Sequence, residues 1–255
     1  MIERFPLDGP VGFGTGETNA YVVGRTNGLL VDPAGRDSAL DSAVEERADH
    51  LAVTHHHPDH VGAVEAYAEE FDLTVWALAG RADAFEAATG VRPDRRFVPG
   101  ETLPAGTGID VMDTPGHAPE HVSFVVPDGI VTGDLAVSEG SVVVGAPEGD
   151  MRAYLTSLRR VYARDPDHLY PGHGPVIDAP RMTCERLINH RLDRERTVLD
   201  AVRSGNETLD DVVEAAYEKD ISDVYDLAKA TVVAHLEKLA VEGKIEFDSD
   251  RVVAN

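Results

Sequence analysis

Cysteine is all but missing from this sequence: of 255 residues only Cys184 carries a thiol. No internal disulfide can form, which fits a reducing compartment. Cys184 falls in a stretch of helical periodicity, 181–203, with no catalytic pattern around it, so a nucleophilic role is set aside. Long apolar runs are missing too. None approaches the roughly 18 residues that a membrane span needs, and no membrane partner is expected. The opening Met1-Ile2-Glu3-Arg4-Phe5-Pro6 lacks a basic region followed by an apolar stretch, which gives no sign of a signal peptide and sets a cytoplasmic expectation. Low-complexity tracts and internal repeats are absent as well.

Positive charge is scarce. Asp and Glu number 46 against 23 Lys and Arg, a net charge of −23. Only Lys219, Lys229, Lys238 and Lys244 are lysines. The acids are spread along the whole chain, so this is no acidic tail. Such a surface repels itself at low salt, and a Debye length of about 3 Å near 1 M salt would screen that repulsion. Low lysine with abundant carboxylate resembles the cytoplasmic proteins of salt-accumulating microbes, and a halophilic protein is the expectation.

The apolar fraction of 42% is ordinary for a chain that buries a core. Over the first ~180 residues, short apolar runs alternate with glycine and proline. Segments 19–24, 28–32 and 50–54 read as strands, 61–71 as a helix, 73–77 as a strand and 81–89 as a helix with Gly90 as its C-terminal cap. A second series follows: strands at 109–113, 122–126 and 129–132, a helix at 150–164 and a short strand at 167–170. Two series of strands with interspersed helices suggest two sheets packed face to face with helices outside, a layered α/β design.

Beyond Gly174 the texture changes. Helices are expected at 181–203, at 209–217 behind a near capping box of Thr208 and Asp211, and at 224–241 with Leu227, Val232, Leu236 and Leu239 as an apolar stripe. A hairpin at 244–253 closes the chain. The boundaries expected are 1–180 for the first domain and 181–255 for a helical, winged-helix-like second one. Winged helices often bind nucleic acid. From Glu185 onward, however, ten basic residues face seventeen acidic ones, so duplex DNA is not an expected partner.

The chemistry centres on Thr54-His55-His56-His57-Pro58-Asp59-His60, which follows an apolar strand and precedes a helix. A strand end delivers side chains to one sheet edge, where α/β sites lie. Alternate residues of an extended segment point the same way, so His55 and His57 can grip one ion while Asp59 and His60 turn to a second. Imidazole and carboxylate at this density suit zinc. Three further segments each set a metal-capable residue beside glycine: Gly116-His117, Gly133-Asp134 and Gly172-His173. Glycine permits the tight turn that aims the next side chain inward. Asp32 ends a strand and is a candidate to fix a ligand histidine from behind. His121 is open between orienting His117 and touching substrate, and His56, His50, His168 and His235 read as supporting or structural.

His55-x-His57-x-Asp59-His60, followed by His117, Asp134 and His173, resembles the ligand set of the metallo-beta-lactamase superfamily over roughly residues 10–175. The resemblance implies an αββα four-layer sandwich with two zinc ions at one sheet edge. It assigns His55, His57 and His117 to the first ion and Asp59, His60 and His173 to the second, with Asp134 bridging. Asp59 and Asp134 are the expected catalytic residues. Asp134 stands where lactamases proper carry a cysteine, and His57 stands where redox di-iron members carry glutamate, so antibiotic hydrolysis and oxygen chemistry are not expected. Two cations lower the pKa of a shared water, and the resulting metal-bridged hydroxide attacks carbon or phosphorus.

For the substrate, the residues after Gly174, with His190-Arg191-x-x-Arg194-Glu195 and the tail 235–245, are similar to the beta-lactamase-like protein 2 subgroup, which implies cleavage of single-stranded RNA. Arg186, Arg191, Arg194, Arg196 and Arg203 would then meet phosphates, unless they pair with Glu185, Asp193, Glu195 and Asp200 of their own helix. A glyoxalase II-like thioesterase acting on a small-molecule ester has nearly the same ligand pattern. A third reading, a non-catalytic metal-binding regulatory protein, requires the site to be vestigial. The sequence leaves the oligomeric state open.

Overall fold

The computed structural model describes residues 1–8, 16–217 and 219–255. Two compact units emerge. The first comprises Met1–Asp113, Glu120–Gly140 and Asp165–Pro180, and the second Thr114–Pro119, Ser141–Arg164 and Arg181–Asn255. The chain passes between them more than once, the last time after Pro180. The helix at 151–164 and the turn at 114–119 group with the C-terminal residues.

The first unit holds two sheets. Six strands lie in chain order: β1 (Ile2–Asp8), β2 (Glu17–Val23), β3 (Gly28–Val31), β4 (Ala48–Ala52), β5 (Thr74–Leu78) and β6 (Arg95–Phe97). β1, β2 and β3 are antiparallel, and β3 to β6 run parallel. Parallel neighbours need crossovers, supplied by helices α1 (Ser38–Arg47), α2 (Pro58–Val61), α3 (Val64–Glu70) and α4 (Ala82–Thr89). Of these elements β1, α1 and β6 carry no clear sequence signal. β1 buries only Phe5 and Leu7 and owes its place to full pairing with β2. α1 begins where the Asp37 carboxylate accepts the N–H groups of Ala39 and Leu40 at 2.8 and 3.1 Å.

Alternation along the strands builds two cores. Val22, Leu30 and Leu51 point toward the helices and pack with Leu40, Val64, Tyr67 and Phe85. Tyr21, Val23, Leu29, Val31 and Ala52 point the other way, onto Phe124, Val131 and Ile109 of the second sheet. Burial on both faces explains why these strands read as continuous apolar runs. The second sheet has the order β11-β10-β9-β8-β7, with β7 at Thr102–Leu103, β8 at Ile109–Asp113, β9 at Val122–Val126, β10 at Gly129–Gly133 and β11 at Leu169–Pro171. β10 and β11 are parallel, so both end at the same edge.

The expected continuous helix over 61–71 is broken. The Ala63 N–H donates to the Pro33 carbonyl at 2.9 Å, and a Cβ on Gly62 would sit 2.3 Å from the Ala34 oxygen. The β3–α1 loop thus presses on the chain at Gly62 and separates α2 from α3. Asp59 and His60 consequently ride on a short first turn.

The second unit contains α5 (Met151–Arg164), α6 (Pro180–Arg203), α7 (Leu209–Ala216), α8 (Tyr225–Val241) and the hairpin β12 (Ile245–Asp248)–β13 (Arg251–Ala254). Val198 and Val202 of α6, Val212 of α7, Leu236 and Leu239 of α8, and Ile245 and Val252 of the hairpin share one core. Thr208 caps α7 by accepting the Asp211 N–H at 3.2 Å, and its hydroxyl donates to the Asp211 carboxylate at 2.6 Å. Leu227 departs from the expected stripe of α8: it is 53% exposed, and Ala228, Thr231 and His235 are buried instead. No helix among the described residues is long and apolar enough to cross a membrane.

Candidate metal centre

Beyond β4 the chain bends at Thr54, His57 is extended with φ −64° and ψ 146°, and Pro58 opens α2 at a position where its missing N–H costs nothing. His55 is buried, and its ring centroid lies 4.5 Å from that of His57 and 4.2 Å from that of His60. Asp134 follows β10 and His173 follows β11, so the parallel pairing of these two strands carries both residues to one edge.

Asp32 organises the loop from behind. It follows β3 with a left-handed φ of +52°, uncommon for aspartate. One carboxylate oxygen accepts the Thr54 N–H and the other the Thr54 hydroxyl, both at 2.7 Å. The same second oxygen lies 3.1 Å from His60 Nδ1, which turns Nε2 of that ring toward the site. His173 is fixed in the same manner, its Nδ1 donating to the Glu17 carbonyl at 2.7 Å. Its Nε2 then stands 3.4 Å from Asp59 Oδ2 and 3.4 Å from Asp134 Oδ1. His60 Nε2 lies 3.4 Å from the same Asp134 oxygen.

Within the first unit two donor triads result, His55/His60/Asp134 and Asp59/His60/His173, each with its ligand atoms within 4.8 Å of one another. His60 is fully buried, and its Nε2 makes no hydrogen bond among the described residues. An orphaned buried nitrogen is costly unless something fills the role of a partner. Burial alone would depress the imidazole of His60, but the Asp134 and Asp32 carboxylates outweigh it and hold the ring up to about 10. Burial is likewise outweighed at His173, which Asp134 and Asp59 hold up to about 11. Asp59 is buried as well, yet His173 and His60 bring it below the ordinary carboxylate value. The cluster therefore demands positive charge, which protons or a cation can supply, and nitrogen with carboxylate oxygen is the donor set for divalent transition metals.

Glycines give the cluster its room. A Cβ on Gly172 would lie 2.5 Å from Asp134 Oδ1 and 2.7 Å from His60 Cε1. His117 belongs to the second unit, where its Nδ1 donates to the Val143 carbonyl at 2.6 Å. There a Cβ on Gly116 would meet the Tyr154 backbone at 2.3 Å, with φ at +138°.

Glu120 and Thr54 carry no ligand signal in the sequence, and His121, open there between orienting His117 and touching substrate, bonds Asp134. Glu120, itself buried, lies 3.3 Å from His56 Nδ1 and accepts the His56 N–H at 3.4 Å. Thr54 braces Asp32, and His121 accepts the Asp134 N–H at 3.2 Å. A backbone N–H takes part in each of these three contacts, and such contacts leave no motif. Of the other histidines, His50 bonds Trp76 and Asn27, His168 bonds the Asp128 carbonyl, His190 lies 3.4 Å from the Ser141 hydroxyl, and His235 is buried in α8. Burial pushes the Cys184 thiol up to about 12, which removes it as a nucleophile.

The arginines of α6 are mostly engaged within the second unit. Arg191 is buried, donates to the Val142 carbonyl and lies over Tyr154. Arg194 donates to the Ala216 carbonyl with its guanidinium 4.1 Å from the Tyr217 ring centroid. Arg196 pairs with Asp193.

Comparison with known proteins agrees with this geometry. A family model described as the metallo-beta-lactamase superfamily matches residues 13–173, and one described as the beta-lactamase associated winged helix domain matches 208–252. A beta-lactamase-like protein 2 homolog of Drosophila melanogaster is 32% identical over 249 residues, covering 89% of this chain and 84% of that protein. An atrochrysone carboxyl ACP thioesterase of Aspergillus chevalieri is 30% identical over 271 residues, covering 97% of this chain and 83% of its own. A crystal structure of a metallo-beta-lactamase family protein from Thermus thermophilus matches in fold with a TM-score of 0.77 at 22% identity, over 100% of this chain and 98% of that one. A protein crystallised in a di-iron-bound form is 29% identical, with a TM-score of 0.55 over 69% of this chain and 95% of its own. With the family pattern spanning most of its length and the donor cluster in place, the chain belongs to the metallo-beta-lactamase superfamily of hydrolases.

Proposed function

We propose that this protein is a dinuclear zinc hydrolase that cleaves thioesters. The observation that carries the hydrolytic reading is the convergence of Asp59, His60, Asp134 and His173, with the Nε2 atoms of both histidines 3.4 Å from one Asp134 oxygen. His55 and His57, with His117 added by the superfamily pattern, would hold one cation, and Asp59, His60 and His173 the other. Asp134 would serve both. Such cations polarise a carbonyl and make water acidic enough to react near neutrality. Asp32 and the Glu17 carbonyl hold the imidazoles of His60 and His173 in one tautomer and orientation, and Asp134 is placed to accept a proton.

Two observations favour a thioester over RNA. The thioesterase relative aligns over 97% of this chain, its C-terminal unit included. Four of the six α6 arginines, Arg181, Arg191, Arg194 and Arg196, are committed to a hydroxyl, carbonyls, rings or a carboxylate of their own unit, so the helix does not present them as a phosphate track. The net charge of −23 adds repulsion toward a polyanion.

The test is an assay of the zinc-loaded protein in molar KCl against acyl thioesters (S-lactoylglutathione and an acyl-coenzyme A) beside single-stranded RNA. Thioester turnover that falls by about a hundredfold or more in Asp134→Asn is expected, the scale of losing a group that acts in the transition state. RNA cleavage without thioester turnover would move the substrate to RNA. Activity toward neither, with His57→Ala indistinguishable from wild type, would leave the non-catalytic regulatory reading.

A further inference from the structure

His121 is buried and belongs to none of the donor triads. Its ring sits 5.3 Å from that of His55, tilted by 37°, and its Nε2 accepts the Asp134 N–H at 3.2 Å. A ring nitrogen that accepts carries no proton, so this contact places the neutral ring's proton on Nδ1. The peptide it holds is closely confined. Gly133 has a left-handed φ of +46°, and a Cβ there would lie 2.4 Å from Thr54 Oγ1 and 2.9 Å from His121 Nε2. From the other side the Gly172 N–H donates to the Gly133 carbonyl at 2.9 Å. Thr54 thus crowds and Gly172 holds the peptide before Asp134, and His121 fixes the N–H of Asp134 itself. The carboxylate that leaves this backbone is the one shared by His60 and His173.

We infer that His121 is a positioning residue: by holding the Asp134 N–H it sets where the carboxylate falls, and so whether one aspartate serves both halves of the metal centre. The inference rests on the metal-centre reading above. A ring that merely filled the core would be replaceable by any apolar side chain of similar size. A ring that acts through Nε2 is replaceable only by a group that accepts at the same reach. Glutamine meets that requirement, leucine fills the space without accepting, and asparagine accepts but falls short.

The experiment titrates the full-length protein and its His121→Leu, His121→Gln and His121→Asn variants with cobalt(II) and zinc. It reads stoichiometry, affinity against a competing chelator and the visible absorption of the cobalt form, with the melting temperature of each metal-free protein as a separate measure of folding. His121→Leu is expected to bind at least one cation roughly 10–100-fold more weakly, the usual scale for removing a supporting partner, and to show a changed cobalt spectrum. His121→Gln is expected to restore both. A leucine variant with wild-type affinity and spectrum overturns the inference, as does a glutamine variant as weak as the leucine one. If leucine does not fold, a glutamine variant no tighter than asparagine overturns it equally. A wild-type protein that takes up no cation overturns the metal reading itself, which is distinguishable because the variants then have nothing to differ in.

Discussion

A single histidine in the middle of β4 offers a contact whose state can be read directly. His50 Nδ1 accepts the indole N–H of Trp76 at 3.2 Å, and His50 Nε2 lies 3.1 Å from Asn27 Oδ1. The ring can make both bonds only when neutral, with its proton on Nε2. Burial lowers the His50 pKa from its ordinary 6.5, against a smaller opposing pull from Asp49. A histidine with a depressed folded pKa contributes stability that is fully present above 6.5 and diminishes as pH falls below it toward the folded value. Trp76 is the only tryptophan of the chain, so its fluorescence reports the loss of this bond. A transition is expected in tryptophan emission with its midpoint below 6.5, absent in His50→Gln. Emission that titrates identically in that variant would assign the change to another group.

Between elements, a buried charge cluster joins α6 to α8 within the second unit. Glu195 Oε2 is 2.7 Å from Lys238 Nζ and 3.9 Å from His235 Nδ1, and Glu242 and Lys244 extend the network, each 2.7 Å from its partner. Burial would raise the Glu195 pKa, but His235 and Lys238 outweigh it and hold the carboxyl down at about 2. A depressed carboxylate contributes stability above its unfolded value of 4.5, and that contribution is lost as pH falls from there to about 2. Glu195→Gln leaves the Lys238 ammonium, 9% exposed, with Glu242 alone. A loss of about 3 kcal/mol at pH 7 is expected, the scale for breaking a buried pair, shrinking toward zero near pH 2. Urea unfolding followed by helical circular dichroism at the two pH values checks it; an equal loss at both would trace the effect to packing.

The same scale shows what the sequence made legible. α5 and α6 carry their own periodicity, and β2 to β4 their own apolar runs, so local pattern suffices for them. α1 depends on one capping carboxylate and β1 on pairing along its whole length, and neither is visible in a window of neighbouring residues. The break between α2 and α3 comes from the Pro33 carbonyl, about thirty positions away, and a window over 61–71 cannot contain it. At the site, His55, His57, Asp59 and His60 were legible because their spacing is the chemistry. Glu120, Thr54 and the role of His121 were not, because a side chain that binds a distant peptide N–H leaves no spacing to recognise. The arginines of α6 stay open between phosphate and pairing in the sequence, because the carbonyls and rings to which Arg191 and Arg194 turn lie outside their own helix.

Taken as a whole molecule, the chain faces a charge problem that no internal pairing can solve. With 46 carboxylate residues against 23 lysines and arginines, carboxylates must remain unmatched even if every base is paired. Several bases are spent in clusters that already hold more than one acid, as Arg36 is with Asp41 and Glu70, and Lys238 with Glu195 and Glu242. Repulsion among the remainder destabilises the folded state at low ionic strength. The Debye length falls from about 10 Å at 0.1 M to about 3 Å at 1 M, so most of this cost should disappear within that range. The melting temperature is therefore expected to rise steeply with KCl up to about 1 M and then level off. Sulfate would continue to stabilise beyond that point through its exclusion from the protein surface. Replacing ten exposed acids, chosen away from the metal loop and the Glu195 cluster, by their amides should flatten the KCl dependence while leaving the sulfate effect. A melting temperature that is highest in dilute buffer, or an amide variant with the wild-type salt response, would show that charge repulsion does not limit this fold and would remove the halophilic reading.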